Sequence, residues 1–341
     1  MNTSVPPIPG LPKIVLTHPV HDAVHHRLQA VGHVVMNAQM EPWPRAQLQQ
    51  HLADADAMMG FMTDHVDAAL LRAAPRLAIV ACALKGFDNY DVAACTEAGV
   101  WVSIVPDLLT EPTAELAIGL AIGLARHVWA GDALVRQGRF QGWRPQLYGS
   151  GLAGAEVAVL GLGAVGQAII ARLQGFGCAR IHGIDPQPRL PALQQLPLEV
   201  VLARADHVFV AAPLTPQSLH LVNAQSLAHS KPGQFIINVG RGAVVDEEAI
   251  ADALDSDRLA GYAADVFAFE DWALPDRPPR VPERLRSSTR TLLTPHLGSA
   301  VASVRLAIEH RAADNIVAVL QGQVPGDAIN RPRGRETKLG E

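Results

Sequence analysis

One segment, Glu156-Val157-Ala158-Val159-Leu160-Gly161-Leu162-Gly163-Ala164-Val165-Gly166, limits the fold more than any other. A short apolar run stops at Leu160, three glycines follow in the spacing GxGxxG, and apolar residues then recur at helical spacing over 164–175. A strand that turns abruptly into a helix through such glycines belongs to a parallel sheet, because the helix must carry the chain back over one sheet face. The first glycine permits the tight turn, and the third allows helix and strand to pack closely.

The same alternation recurs throughout the chain. Before the glycine segment, strand-like runs at 14–17, 34–36, 57–62, 77–83 and 100–105 enclose helical patterns at 21–31, 45–55, 68–73 and 91–98. After it, strand-like runs lie at 180–184, 207–212, 235–239, 262–266 and 291–294, and 303–321 reads as a long helix. Residues 111–138 read as one long helix with Pro112 in its first turn, leading into an irregular aromatic stretch over 140–151. The pattern predicts an α/β protein of two doubly wound parallel-sheet domains. The chain has 341 residues, 49% of them hydrophobic, whereas single cores stop growing near ~250–300 residues. The expected division is 11–107 together with 302–330 as one domain, 108–301 as the other, and flexible tails at 1–10 and 331–341.

Bulk properties exclude several classes. A net charge of -5 gives no general attraction to nucleic acid or to an anionic membrane surface. The longest apolar stretch, 116–125, is half of the ~20 residues a membrane-spanning helix needs. Cys82, Cys95 and Cys178 form no CxxC pair, so neither a disulfide framework nor a metal site is expected. With no basic-then-apolar leader in its opening residues, the chain is expected in a reducing cytoplasm.

The glycine turn also carries chemistry. Gly161, Gly163 and Gly166, with the first helical residues Ala164 and Val165, form a dinucleotide-binding fingerprint in the required strand–turn–helix context. Free N–H groups at the helix start would take the pyrophosphate. The next strand ends at Asp185, an acid suited to both ribose hydroxyls and repulsive to a 2′-phosphate, so NAD is expected over NADP; Arg189 nearby leaves room for some use of NADP. Three later strand ends carry polar residues: Arg241 between Gly240 and Gly242, Glu270 in Asp265-Val266-Phe267-Ala268-Phe269-Glu270, and His296 in Thr294-Pro295-His296-Leu297-Gly298-Ser299. Doubly wound sheets place ligands outside the carboxyl ends of their strands. Arg241 offers a permanent cationic fork for an anion, His296 a base near neutral pH, and Glu270 a carboxylate to orient the imidazole.

Taken in order, GLGAVG, Asp185, NVGRG, Glu270 and TPHLGS resemble the D-2-hydroxyacid dehydrogenases. That resemblance implies a Rossmann NAD-binding domain plus a flavodoxin-like substrate domain with a cleft between, a catalytic Arg–Glu–His set and a homodimer. A narrower set of segments is similar to the phosphite (phosphonate) dehydrogenases: 57–62, Ala83-Leu84-Lys85-Gly86-Phe87-Asp88-Asn89, 105–110, 140–143, 261–267, 270–272 and 296–301, with Arg305 following. This likeness implies that Lys85 joins Arg241, Glu270 and His296. Met62, Gly86 and Arg305 would line the site, with Trp143 and Tyr148 near the cleft or from a partner subunit. Leu109, Thr113, Pro213, Val239, Asp265 and Ser299 would touch the cofactor. The implied reaction is NAD-dependent oxidation of phosphite to phosphate, with His296 deprotonating the attacking water and no metal required. Gly240 stands where those enzymes carry cysteine, Ala268 where they carry glutamate, and Asp185 where they carry glutamate. Two alternatives stay open: a dehydrogenase of a small organic 2-hydroxy acid, and a non-catalytic NAD-sensing corepressor-like protein.

Overall fold

The structure, a computed structural model, describes residues 10–187, 190, 193, 195–272 and 274–332. Residues 1–9 and 333–341 of the expected tails, and Arg189, lie outside the described residues. The chain divides into two compact units, Met1–Leu109 with Val301–Glu341, and Thr110–Ala300.

In the first unit the strands are β1 (Lys13–Leu16), β2 (His33–Met36), β3 (Ala57–Gly60), β4 (Ile79–Cys82) and β5 (Trp101–Ser103). They pair in parallel in the order β2-β1-β3-β4-β5, the flavodoxin-like arrangement. β3, β4 and β5 are buried on both faces, which is why they read as continuous apolar runs, whereas the edge strand β2 is half-buried. Ile14, Leu16, Met59 and Ile79 pack with Ile308, Ala312 and Ile316 of the helix Ala302–Leu320. Val15, Met58, Val80 and Val102 face the other way, onto Leu48, Leu52, Leu70 and Cys95.

The second unit holds β6 (Glu156–Leu160), β7 (Arg180–Ile184), β8 (His207–Val210), β9 (Gln234–Asn238), β10 (Leu259–Ala264) and β11 (Thr291–Leu293). Their order is β11-β10-β9-β8-β6-β7, all parallel. The chain runs to one side from β6 to β7 and then to the other from β8 onward. The switch point therefore falls between β6 and β8, directly above the glycine turn. Val157, Val159, Phe209 and Ile237 meet the helices Thr110–Ala125 and Ala164–Leu173, while Leu160, Val210, Ile236 and Tyr262 fill the opposite core.

The expected single helix over 111–138 is two helices, Thr110–Ala125 and Val128–Arg136, bent by 64°. The break has a local cause. His127 is left-handed, with φ 51°, and the Ala125 carbonyl accepts the Ser150 N–H at 3.0 Å. That carbonyl would otherwise serve Trp129 in a continuous helix. A Cβ on Gly149 would lie 2.0 Å from the same oxygen, so only glycine lets residues 149–150 approach. The helix Val128–Arg136 buries no residue; Val128, Trp129 and Val135 are exposed, as are Phe140, Trp143, Leu147 and Tyr148 after it. Among the described residues, no single helix is long and apolar enough to cross a membrane.

Candidate active site

The glycine turn has the shape a pyrophosphate needs. Gly161 has φ +92°, and a Cβ there would sit 2.6 Å from the Ala212 amide nitrogen. A Cβ on Gly166 would strike the Gly161 carbonyl at 1.9 Å, so helix and strand touch through bare backbone. At Gly163, the N-cap of the helix Ala164–Leu173, a Cβ would meet nothing within 4 Å. This open side, lined by the free N–H groups of the helix start, fits a dinucleotide's phosphates. Asp185, at the end of β7, accepts the Leu162 N–H at 2.8 Å and the Gln187 N–H at 2.8 Å. The acid is thereby fixed beside the glycine turn, at the strand end where this fold receives the adenosine ribose. Gly298 packs against Thr113 and Asp265, since a Cβ there would lie 3.0 Å from Thr113 Oγ1 and 3.3 Å from Asp265 Oδ2. Val239 is buried at the end of β9, and Pro213 is exposed at the end of β8.

In the same unit, Glu270 and His296 are brought together. His296 Nδ1 lies 3.0 Å from Glu270 Oε2, and Glu270 Oε1 accepts the Phe267 N–H at 2.8 Å. With Nδ1 engaged by a carboxylate, Nε2 is the imidazole nitrogen left to exchange a proton with a substrate. The His296 backbone is left-handed, φ +56°, which costs about 1–3 kcal/mol for a residue other than glycine. Asp265 holds it there. Its carboxylate accepts from Thr294 Oγ1 (2.6 Å), Leu297 N (2.7 Å) and Gly298 N (2.8 Å), and its carbonyl accepts the His296 N–H at 2.9 Å. Burial raises the Asp265 pKa, and these bonds oppose the rise. Asp265, expected to touch the cofactor, thus directs both carboxylate oxygens to the His296 turn.

Arg241 follows β9 in extended conformation. Asn238 braces its loop, donating from Nδ2 to the Arg241 carbonyl (3.0 Å) and accepting the Gly240 N–H at Oδ1 (3.1 Å). A Cβ on Gly240 would lie 2.5 Å from the Ala212 carbonyl. Glycine at this departure from the phosphite dehydrogenase pattern is therefore dictated by space. A Cβ on Gly242 would lie 1.8 Å from the Phe267 carbonyl carbon. The residue after Arg241 thus rests directly on the turn that carries Glu270.

The first unit assembles a second cluster at the carboxyl ends of β3 and β4. Lys85 and Gly86 are half-buried in the loop after β4, and burial pulls the Lys85 pKa down, opposed by Asp107. Arg305 donates from Nη1 to the Ala83 carbonyl at 3.3 Å and lies 5.9 Å from the Phe61 ring centroid. Its pKa too is lowered by burial. Met62 is held from behind: Asn89 Nδ2 donates to its carbonyl at 3.2 Å, and Asp64 Oδ2 accepts the Phe61 N–H at 2.7 Å. Leu109 packs against the core of this unit. Ser299 is half-buried beyond the His296 turn of the second unit, whereas Trp143 and Tyr148 are exposed.

Three residues that organise these clusters were not anticipated as such: Asp64, Glu247 and Asp271. Burial drives the Asp64 carboxyl up to about 6 and that of Glu247 to about 7. Asp64 and Glu247 left no sequence trace beyond following an apolar strand, and Asp271 lay in the 270–272 segment of the resemblance without a role of its own. Among the described residues, no group of histidine, cysteine or acid side chains could hold a metal ion.

Comparison with known proteins agrees with this arrangement. Residues 118–298 match the family described as D-isomer specific 2-hydroxyacid dehydrogenase, NAD binding domain. A glyoxylate reductase of Pyrococcus furiosus is 33% identical over 330 residues, covering 94% of this chain and 96% of its own. Among solved structures, the TT0316 protein of Thermus thermophilus superposes with a TM-score of 0.84 at 32% identity, over 93% of this chain and all of that one. An NADPH-dependent glyoxylate/hydroxypyruvate reductase of Sinorhizobium meliloti, in complex with NADP and malonate, gives 0.81 at 31% identity over 94% of this chain and 97% of that one. With a glycine turn at the switch point, an acid at the next strand end and a carboxylate-oriented histidine, this chain belongs to the D-isomer specific 2-hydroxyacid dehydrogenase family.

Proposed function

We propose that the protein interconverts a small 2-hydroxy acid and its 2-oxo acid with NAD(H), glyoxylate and its near relatives being the first substrates to test. The observation that carries this is the His296–Glu270 pair at 3.0 Å, on a turn packed against the backbone of the Arg241 loop. NAD, when bound on the glycine turn, supplies the nicotinamide carbon that takes or returns the hydride. Arg241 holds the substrate carboxylate and polarises the adjacent oxygen. His296 Nε2 removes the hydroxyl proton in oxidation and returns it in reduction. Glu270 keeps the imidazole in the required tautomer and stabilises its cation. The names of the relatives, glyoxylate reductase and glyoxylate/hydroxypyruvate reductase, support this substrate class.

A second reading, phosphite oxidation, is favoured by one specific observation. Lys85 and Arg305 place two cations, both with pKa values lowered by burial, around the loop after β4. A compact dianion answers that charge better than a monocarboxylate. The balanced step is HPO₃²⁻ + NAD⁺ + H₂O → HPO₄²⁻ + NADH + H⁺. The P–H bond breaks as hydride leaves, a P–O bond forms from water, and His296 takes the water proton. We also propose a homodimer, in which a second copy covers the exposed aromatic face around Trp129, Phe140 and Trp143.

Absorbance at 340 nm separates the readings. NADH consumption with glyoxylate or hydroxypyruvate, and none formed from phosphite, supports the first. NADH formation from phosphite, with no turnover of 2-oxo acids, supports the second. Cofactor binding with neither turnover would leave an NAD-sensing, corepressor-like role and sink both.

A further inference from the structure

Two carboxylates outside the catalytic set join the segments that carry it. Glu247, just after the Arg241 turn, accepts the Ala268 N–H at 2.8 Å through Oε1. Asp271, just after Glu270, accepts the Ala243 N–H at 2.7 Å through Oδ2. Each segment thus sends an acid across to a backbone amide of the other. Both bonds are buried, and between them Gly242 rests on Phe267 and Ala268 with no room for a side chain. From this reciprocal arrangement we infer that Glu247 and Asp271 form a clasp that sets the distance between Arg241 and the Glu270–His296 pair, acting as positioning residues for hydride transfer. The inference rests on the catalytic reading above.

The geometry states what each end of the clasp controls. Ala268 opens the short turn Ala268–Glu270, so Glu247 fixes where that turn begins. Phe267 and Glu270 close the same turn by donating and accepting with each other, so a shift at Ala268 moves the carboxylate that meets His296. Ala243 lies in the turn Gly242–Val244, so Asp271 fixes the residues that follow Arg241. Asn238 completes the frame: its side chain holds the Arg241 loop, and its carbonyl accepts the Asp265 N–H at 2.9 Å. The other oxygen of Glu247, Oε2, is buried without a hydrogen-bond partner. Burial raises this carboxyl to about 7, reinforced by the charges of Asp271, Glu270 and Glu248. A neutral acid in that position uses one oxygen as acceptor, which a glutamine amide reproduces.

The test compares Glu247→Gln and Asp271→Asn, which keep an acceptor, with Glu247→Ala and Asp271→Ala, which remove it. The clasp predicts that kcat falls about 10- to 100-fold in the alanine variants, the scale of a 1 Å misplacement of a catalytic group. NADH affinity should stay within about twofold, and the amide variants should recover to within about threefold of wild type. A crystal structure of Glu247→Ala supplies a readout independent of any substrate: the 3.0 Å Glu270–His296 contact should open beyond hydrogen-bond distance while the glycine turn stays in place. If that contact is unchanged, or if alanine and amide variants lose activity alike, the clasp is refuted although the catalytic reading stands. If wild type turns over neither substrate class, the catalytic reading falls, and the crystallographic distance still decides the clasp.

Discussion

Asp64→Asn isolates the energetic burden of one buried acid. Asp64 is buried beneath the Phe61–Met62 loop, where its carboxylate accepts from Thr17 Oγ1 at 2.5 Å and from the Phe61 amide at 2.7 Å. Burial outweighs both bonds and lifts the carboxyl from 3.8 to about 6. The folded protein therefore holds this proton more tightly than the unfolded chain does. The contribution of Asp64 to stability is fully present below about pH 4 and is lost as pH rises through about 6. At about 1.36 kcal/mol per pH unit, that gap corresponds to roughly 3 kcal/mol. Asparagine keeps an oxygen toward Phe61 and Thr17 but cannot ionise. Between about pH 4 and pH 7.5, wild type should lose roughly 3 kcal/mol relative to Asp64→Asn. Urea unfolding at each pH, read by hydrogen exchange in peptides from β1 and β3, measures the first unit directly. Parallel stability curves for the two proteins would refute the reasoning.

Four further outcomes are expected. His296→Ala should lower kcat by about 10²–10⁴-fold with NADH binding retained; a loss under tenfold in steady-state kinetics removes His296 as the proton carrier. Gly166→Ala should abolish NADH binding, measured by fluorescence titration, because its Cβ would lie 1.9 Å from the Gly161 carbonyl. Asp185→Ala should narrow the NAD-over-NADP preference at least tenfold by removing the acid that repels a 2′-phosphate, seen as a ratio of kcat/KM values. Lys85→Ala should raise KM for the anionic substrate at least tenfold, and more for phosphite than for glyoxylate if the dianion is the natural ligand.

Much of the fold was readable because a parallel sheet buried on both faces advertises each strand as an apolar run. β6 and β7 begin and end where the pattern placed them, and the other nine strands fall within a few residues of expectation. The break at His127 was not readable, since it depends on a carbonyl captured by Ser150, a contact no periodicity encodes. Arg241, Glu270 and His296 stood out because each follows a strand end, and a carboxylate–imidazole pair has an evident chemical use. Asp64, Glu247 and Asp271 stayed hidden for the opposite reason. An acid in a connecting segment normally reads as solvated, and only the packing shows that these three are enclosed, Glu247 and Asp271 on distant amides and Asp64 on the distant Thr17 hydroxyl.

The first unit is also assembled from two stretches of sequence, and His21 meets Glu309 across 288 residues. During translation, one side of the β1–β5 sheet has only the helix Asp22–Gln29 over it until Ala302–Leu320 leaves the ribosome. The intervening Thr110–Ala300 takes about 10–40 s to make at roughly 5–20 residues per second. Through that interval Ile14, Leu16, Met59 and Ile79 present a greasy surface that Val24 and Leu28 only partly shield, and the folding chain must keep it from aggregating while the nucleotide-binding half is still being made.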